Sequence, residues 1–248
     1  MKSVVVLVFV ISCFTFTNSA SVLPPWLTPC KGSDPNLPQC AEKEANKIIP
    51  MLVKGYPKLN VPVMNPLHIP EIKVQLNSQF KISLKDVDVY GLEETRAFDF
   101  NYDFKGFKID FKLEIPRLVL LGEYDMDGRI LFPVTGKGPG NITVVGGVYD
   151  IEFTYSLFEK KGVQYGHMDT VDVNIDIKRL YVQFDNLFNG NKELGDAANK
   201  AANNEWRVIF KELEPTIKEC VKEVVLTVAN GIGDRVPYGD IFSNEFPA

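Results

Sequence analysis

The hydrophobic period of this chain changes near Asn189, and that change limits the folds the chain can form. From Ile72 to Phe184 apolar residues recur at almost every second position, which is typical of strands with one buried face. From Leu194 to Val228 they recur every three or four positions, which is typical of an amphipathic helix. The sequence therefore predicts long antiparallel strands followed by one long helix.

The stretch FKGFKIDFKLEIP, residues 104–116, shows the strand pattern most clearly. From Phe107 to Ile115 apolar and charged residues alternate, so a strand here has an aromatic-rich face and a charged face. The apolar face must cover either a solid core or a bound molecule. Turn chemistry predicts hairpins at Asp125–Gly128 and at Glu159–Gly162.

The segment GKGPGN, residues 136–141, reads as a wider loop because glycine and proline are concentrated there. It lacks the Lys-Ser/Thr pair of a phosphate-binding loop, so it does not predict nucleotide binding. Asn141 opens the sequon Asn-Ile-Thr. We expect Asn141 to be glycosylated, since such a sequon suits an exposed loop of a secreted protein.

The predicted C-terminal helix has about 35 residues and would be about 50 Å long. Pro215 would kink it, although a side that faces solvent tolerates the lost hydrogen bond. Gly231 and Gly233 end it. A helix of this length is too long for a compact layer on an ordinary sheet. A strongly curved sheet wrapped around the helix is one arrangement that buries its apolar stripe.

The first part of the chain outside the N-terminal leader predicts a helix and then an irregular segment. Residues 38–54 show helical spacing, with Pro50 expected to kink or shorten the helix. Residues 55–72, GYPKLNVPVMNPLHIPEI, contain four prolines. That segment should run extended over a surface, because proline is excluded from helix interiors and central strands.

The first 20 residues predict a secretory signal peptide. They have a basic start at Lys2, an apolar run of about a dozen residues, and small residues before position 21. We place cleavage after Ala20, with a neighbouring bond as the alternative. Residues 21–248 then form one domain, because no linker or low-complexity segment divides them. We expect a soluble, secreted, extracellular protein.

The charge balance argues mildly against nucleic acid and against a basic membrane-binding patch. The formal net charge is −5, and removal of Lys2 with the leader would make it −6. We therefore expect no nucleic-acid partner, and membrane contact is conceivable but not expected. We expect a monomer.

Three cysteines remain after the leader, namely Cys30, Cys40 and Cys220. Glycine and prolines between Cys30 and Cys40 return the chain on itself, so a local disulfide is predicted. Cys220 lies on the helical pattern and is expected to be a buried free thiol, with an intermolecular bridge as the alternative. Neither histidine shows metal-ligand spacing, so neither a metal nor another cofactor is predicted.

Catalytic motifs are missing from the sequence. It contains no Gly-x-Ser-x-Gly and no His-Glu-x-x-His, and Asp99, Asp103 and Asp110 read as solvated charges on strand faces. We expect no enzymatic activity.

Two segments resemble the signatures of the insect takeout and juvenile-hormone-binding protein family. One is the pair Cys30 and Cys40 around SDPN, followed by a helix and residues 55–72. The other is FDNLFNGNKELGDAANKAANNEWRVIFKELEP, in which Glu205 replaces the family's Asn before Trp206. The resemblance covers essentially the whole chain after the leader.

The resemblance implies an α+β tubular fold, in which a highly curved antiparallel sheet wraps a long C-terminal helix around an apolar tunnel. It also implies a carrier for a small hydrophobic ligand, such as a juvenile-hormone-like terpenoid or a fatty acid. Juvenile-hormone-binding proteins have a second disulfide from the long helix to a strand, and no strand here offers Cys220 a partner. The takeout-like branch is therefore favoured. A module that contacts membranes or microbial lipid, and a ligand-gated signalling protein, are the alternatives.

Candidate ligand-binding residues are those whose spacing places them on the apolar face of the first helix, the segment after it, the sheet or the long helix. They are Leu52, Val53, Ile69, Ile72, Phe107, Ile109, Phe111, Tyr149, Ile151, Phe153, Trp206, Phe210, Leu213 and Ile217. Any of three tyrosines, Tyr102, Tyr149 or Tyr155, could orient a ligand through its hydroxyl.

Overall fold

A computed structural model describes residues 23–77, 80–131 and 133–246, and the predicted signal peptide lies outside these residues. The helices and strands follow one another in a simple order. They are α1 (Leu37–Leu52), β1 (Leu67–Asn77), β2 (Phe80–Tyr90), β3 (Arg96–Asp103), β4 (Lys108–Arg129), β5 (Pro133–Lys160), β6 (Val163–Phe184), α2 (Lys192–Asn204), α3 (Trp206–Gly233) and α4 (Tyr238–Ile241).

All six strands belong to one antiparallel sheet with the order β1-β2-β4-β5-β6. The long strand β4 has two neighbours on the same side. β2 pairs with its second half, from Val119 to Gly128, and β3 pairs with its first half, from Lys108 to Glu114. The antiparallel sheet that was predicted from the alternation of apolar and charged residues is therefore confirmed.

The sheet is strongly curved around α3, as predicted. β5 has 28 residues and would be about 90 Å long if straight. α3 also has 28 residues, yet a helix of that length measures only about 42 Å. The strands must coil to pack on it, and α3 contacts both β6 and β1, the two edge strands of the sheet. The fold is an α+β tube of curled sheet closed by the helix.

Two predicted connections lie inside strands. Asp125–Gly128 belongs to β4, whose turn to β5 comes between Arg129 and Pro133. Residues 136–141 belong to β5 rather than to a loop. The glycines there occur at every second position, so they leave one strand face without side chains. A Cβ at Gly136 would lie only 2.7 Å from the Tyr124 hydroxyl oxygen and 2.9 Å from the Leu187 Cα.

Other local predictions are confirmed. The turn between β5 and β6 uses Lys161 and Gly162, both with positive φ. Pro50 lies inside α1 and is exposed. Cys30 and Cys40 form a disulfide with Cα atoms 6.0 Å apart. The proline-rich segment, in contrast, does not run extended over the surface as predicted. It forms a short 3-10 turn at Pro57–Leu59 and buries Leu59, Val61 and Met64 against α1, before β1 begins at Leu67, earlier than expected. Its Pro70 is tolerated because β1 is an edge strand.

The predicted single C-terminal helix is two helices, α2 and α3, separated at Glu205. The break lies between two residues that are fixed by different kinds of contact. Asn203 at the end of α2 is bonded to the backbone of β6, while Trp206 at the start of α3 is buried in a cluster with Ile177 and Leu180. The apolar spacing continues across the break, so the sequence pattern does not reveal it. Pro215 is within α3 and exposed, as expected.

Asparagine side chains from the helices cover open strand edges. Asn199 accepts a hydrogen bond from the Phe184 N–H at 3.0 Å and donates one to the Phe184 carbonyl at 2.9 Å. Asn203 forms the same pair of bonds with Val182, and Asn230 of α3 forms them with Met168. Asn46 of α1 does so with Ala97 of β3. These amides replace the next strand of a ladder.

Candidate ligand-binding site

The apolar stripe of α3 is buried at its ends but not in its middle. Trp206 and Ile209 near the start are buried, as are Gly231 and Gly233 near the end. The apolar residues between them are all half-buried, namely Phe210, Leu213, Ile217, Val221, Val224, Val225, Leu226 and Val228. A stripe that faces a sheet normally packs into a continuous core. Half-burial means that part of each of these side chains is not covered by the described protein.

The buried clusters show which residues of the α3 stripe are packed and which are not. The first turn of α3 packs with Ile177 and Leu180, and Val221 and Val225 pack with the cluster around Ile151 and Val173. Leu213 and Ile217 lie on the same stripe between these two groups. Neither belongs to any of the five packed clusters formed by the described residues.

Three residues of the sheet are likewise half-buried and outside the packed clusters. Ile69 and Ile72 of β1 lie opposite Val87 and Leu84 of β2, and both are half-buried. Leu120 of β4 is half-buried and has the same parity as buried Tyr124. We call Ile69, Ile72, Leu120, Leu213 and Ile217 the open region. All five are half-buried and lie outside the packed clusters of the described residues.

Four of the candidate residues chosen from sequence belong to the open region, and others pack into clusters. Leu52 and Val53 lie in a cluster with Leu59 and Val236. Further candidates are buried or lie against buried clusters: Ile109, Phe111, Tyr149, Ile151, Phe153, Trp206 and Phe210. Leu120 was missed because its neighbours Val119 and Leu121 are also apolar, so alternation does not single it out.

Phe107 lies away from the interior. It belongs to the turn between β3 and β4, has a φ of +53°, and is 42% exposed. Its ring contacts Tyr155 edge-on, with centroids 5.5 Å apart. The alternation that begins at Phe107 in the sequence becomes a strand only at Lys108, so the pattern placed this residue on the wrong part of the hairpin.

The three tyrosines predicted as orienting residues differ in their hydroxyl contacts. The Tyr155 hydroxyl is 2.7 Å from that of Tyr238. The hydroxyls of Tyr102 and Tyr149 form no hydrogen bond with any described residue, and burial raises both pKa values, that of Tyr149 to about 12. Tyr149 is 5% exposed and its ring lies over Gly147. Its hydroxyl is therefore a protonated donor at neutral pH that has no acceptor among the described residues.

The other groups with potential chemistry are dispersed. His68 pairs with Asp88 and His167 with Asp234, both at the surface. The described residues contain no group of three metal-binding side chains. Cys220 is a half-buried thiol that forms no disulfide within the described chain, and burial raises its pKa. No helix among the described residues is long and apolar enough to cross a membrane.

A comparison with known families decides the assignment. The profile of the haemolymph juvenile hormone binding protein (JHBP) family matches residues 4–243. This chain belongs to that family.

Individual JHBP-family relatives agree with this assignment along most of the chain. The circadian clock-controlled protein daywake of Drosophila melanogaster is 24% identical over 92% of this chain and 91% of its own length. A putative beta-carotene-binding protein of Schistocerca gregaria is 25% identical over 87% of this chain and 88% of its own.

The fold of this JHBP-family chain is that of a solved relative. The crystal structure of Epiphyas postvittana Takeout 1 superposes with a TM-score of 0.79, covering 86% of this chain and 98% of that one at 24% identity. The resemblance read from the two sequence signatures is confirmed. JHBP-family proteins are carriers of small hydrophobic ligands.

Proposed function

We propose that this protein is a secreted carrier that holds a small hydrophobic ligand against the open region, between α3 and the curved sheet. The observation that carries the proposal is the half-burial of Leu213 and Ile217 on a stripe whose ends are tightly packed. Apolar side chains in this position lose water contact when a ligand covers them.

The expected affinity follows from simple energetics. Burying a chain of about 16 carbons contributes at most roughly 12 kcal/mol, at about 0.8 kcal/mol per CH₂. Loss of translational freedom and ordering costs about 4 kcal/mol or more. Dissociation constants from micromolar to nanomolar follow without any charged anchor. An elongated terpenoid, fatty acid or polyene fits this description.

Tyr149 supplies a polar contact in this proposal. It is packed in the same cluster as Val221 and Val225 of α3, and its hydroxyl has no acceptor among the described residues. A ligand with a carbonyl, ester or carboxylate oxygen would accept that hydrogen bond and be held in one orientation.

Replacing Tyr149 with phenylalanine is expected to weaken binding of an oxygen-bearing ligand about tenfold, because one buried hydrogen bond contributes about 1 kcal/mol or slightly more. The affinity for a pure hydrocarbon of the same length should stay unchanged. Fluorescent-probe displacement with the two ligands measures both. Equal loss for both ligands would assign Tyr149 to packing alone.

Native mass spectrometry against denaturing mass spectrometry of the secreted protein tests the carrier function. We expect a mass excess that disappears on denaturation and that identifies the bound compound, apart from any glycan at Asn141. Asn141 is exposed on β5, so a glycan there is sterically allowed. A protein with no excess that also fails to take up an offered fatty acid or terpenoid ester would refute the proposal.

A further inference from the structure

The hairpin between β5 and β6 carries apolar and basic side chains on one face. The strand register places Phe158 opposite Tyr165 and Lys160 opposite Val163. Because side chains alternate along a strand, these four lie on the same face. Phe158 and Val163 are 38% and 40% exposed, and the Phe158 ring stacks on Tyr165 with centroids 5.6 Å apart. The hairpin therefore presents an apolar surface that the described part of the chain leaves largely uncovered.

The same face borders a cleft in which Lys160 and Arg235 have no carboxylate partner among the described residues. Phe158, Lys160, His167, Asp234 and Arg235 line this cleft, whose volume is about 420 Å³. The carboxylate of Asp234 lies 2.7 Å from His167 Nδ1. Arg235 donates only a long bond, to the Gly231 carbonyl at 3.4 Å.

The turn adds a further cation. Lys161 follows Lys160 directly and is exposed, and neither lysine has an ion-pair partner among the described residues. The acidic residue between Phe158 and Lys160, Glu159, points to the opposite face by alternation. The exposed apolar face is therefore bordered by positive charge.

We propose that this hairpin face docks on the surface of an anionic lipid bilayer. Phe158, Val163 and Tyr165 would enter the interfacial layer, where aromatic side chains are favoured, and the cations beside them would approach lipid phosphates. A second copy of the chain is a poorer partner, because pairing this face with itself brings like charges together. The inference does not depend on the ligand-carrier proposal.

The overall negative charge of the chain limits the attraction to the hairpin itself. The net charge of −5 opposes approach to an anionic surface, so attraction must come from the hairpin at short range. We expect binding to weaken as salt concentration rises.

Vesicle flotation tests the inference. One set of vesicles is phosphatidylcholine alone, and the other is phosphatidylcholine mixed with phosphatidylserine. We expect the wild-type protein to float with the mixed vesicles at least tenfold more than with the neutral ones. The double variant Lys160→Glu, Lys161→Glu should lose at least tenfold of this binding, and Phe158→Ala several-fold.

The matched control is Lys200→Glu, Lys211→Glu, which makes the same change in net charge at exposed positions on α2 and α3. It should float like the wild type. Equal loss in the control, or a wild-type protein that ignores both vesicles, would overturn the inference. So would a dimer in sedimentation without lipid that Phe158→Ala abolishes. Melting temperature and probe uptake, both expected to be unchanged by Lys160→Glu, Lys161→Glu, keep this test separate from that of carrier function.

Discussion

Replacing Leu213 with tryptophan is expected to lower ligand affinity about thirtyfold while leaving stability nearly unchanged. Leu213 is half-buried on the inner stripe of α3 and belongs to no packed cluster of the described residues. On the carrier proposal, we expect a larger side chain here to occupy space that the ligand would fill, rather than to displace core atoms. It would exclude two or three ligand carbons, which is about 2 kcal/mol of binding. Probe titration and thermal melting measure the two quantities.

Ile151→Ala is the contrasting variant, because Ile151 is 1% exposed in the adjacent cluster. We expect it to lose about 2–5 kcal/mol of stability through cavity formation. Ligand affinity should fall less than for Leu213→Trp. If Leu213→Trp destabilised the protein as much as Ile151→Ala and left ligand uptake intact, Leu213 would be ordinary core.

Replacing Asn199 with alanine is expected to reduce the free energy of unfolding by about 2–3 kcal/mol. Asn199 is 7% exposed and forms two hydrogen bonds with the backbone of Phe184. Each such bond contributes about 1 kcal/mol, and the strand groups left unpaired add a further cost. Denaturant unfolding measures the global effect. Hydrogen exchange of the Phe184 amide measures the local one, and it should become faster.

Asn204→Ala is the control for this prediction. Asn204 is the last residue of α2 and is exposed, so its loss should change stability by less than about 0.5 kcal/mol. An Asn199 variant as stable as this control, with unchanged exchange at Phe184, would show that the edge of β6 does not need the amide.

Sequence periodicity identified the sheet and the helical stripe of this fold. It did not show where a strand continues or where a helix breaks. The period of two predicted the sheet because inward and outward positions alternate whatever the curvature of a strand. It failed for residues 136–141, where glycines at alternate positions serve close packing against Tyr124 rather than a turn. The period of three to four predicted the helical stripe but did not show the break at Glu205. That break depends on the bonds of Asn203 to β6 and on the burial of Trp206.

For the same reason, the sequence pattern did not separate half-buried residues from packed ones. Facing pattern selected Ile69, Ile72, Leu213 and Ile217 together with fully packed residues such as Ile151 and Phe153. Both groups face the interior, so their sequence patterns are alike. The negative overall charge also gave no sign of the basic hairpin face, because net charge does not reveal where lysines gather.

The sequence by itself determined which side chains face inward, because strand and helix geometry impose that spacing locally. Only the tertiary structure decided which inward side chains pack into buried clusters and which stay half-buried. That outcome depends on the coiling of β4 and β5, whose ladder keeps one register from Lys108 to Arg129 although Pro116 and Gly146 are unpaired in it. It depends also on the contact of α3 with both sheet edges. Each of these joins residues far apart in the chain, where no local pattern acts.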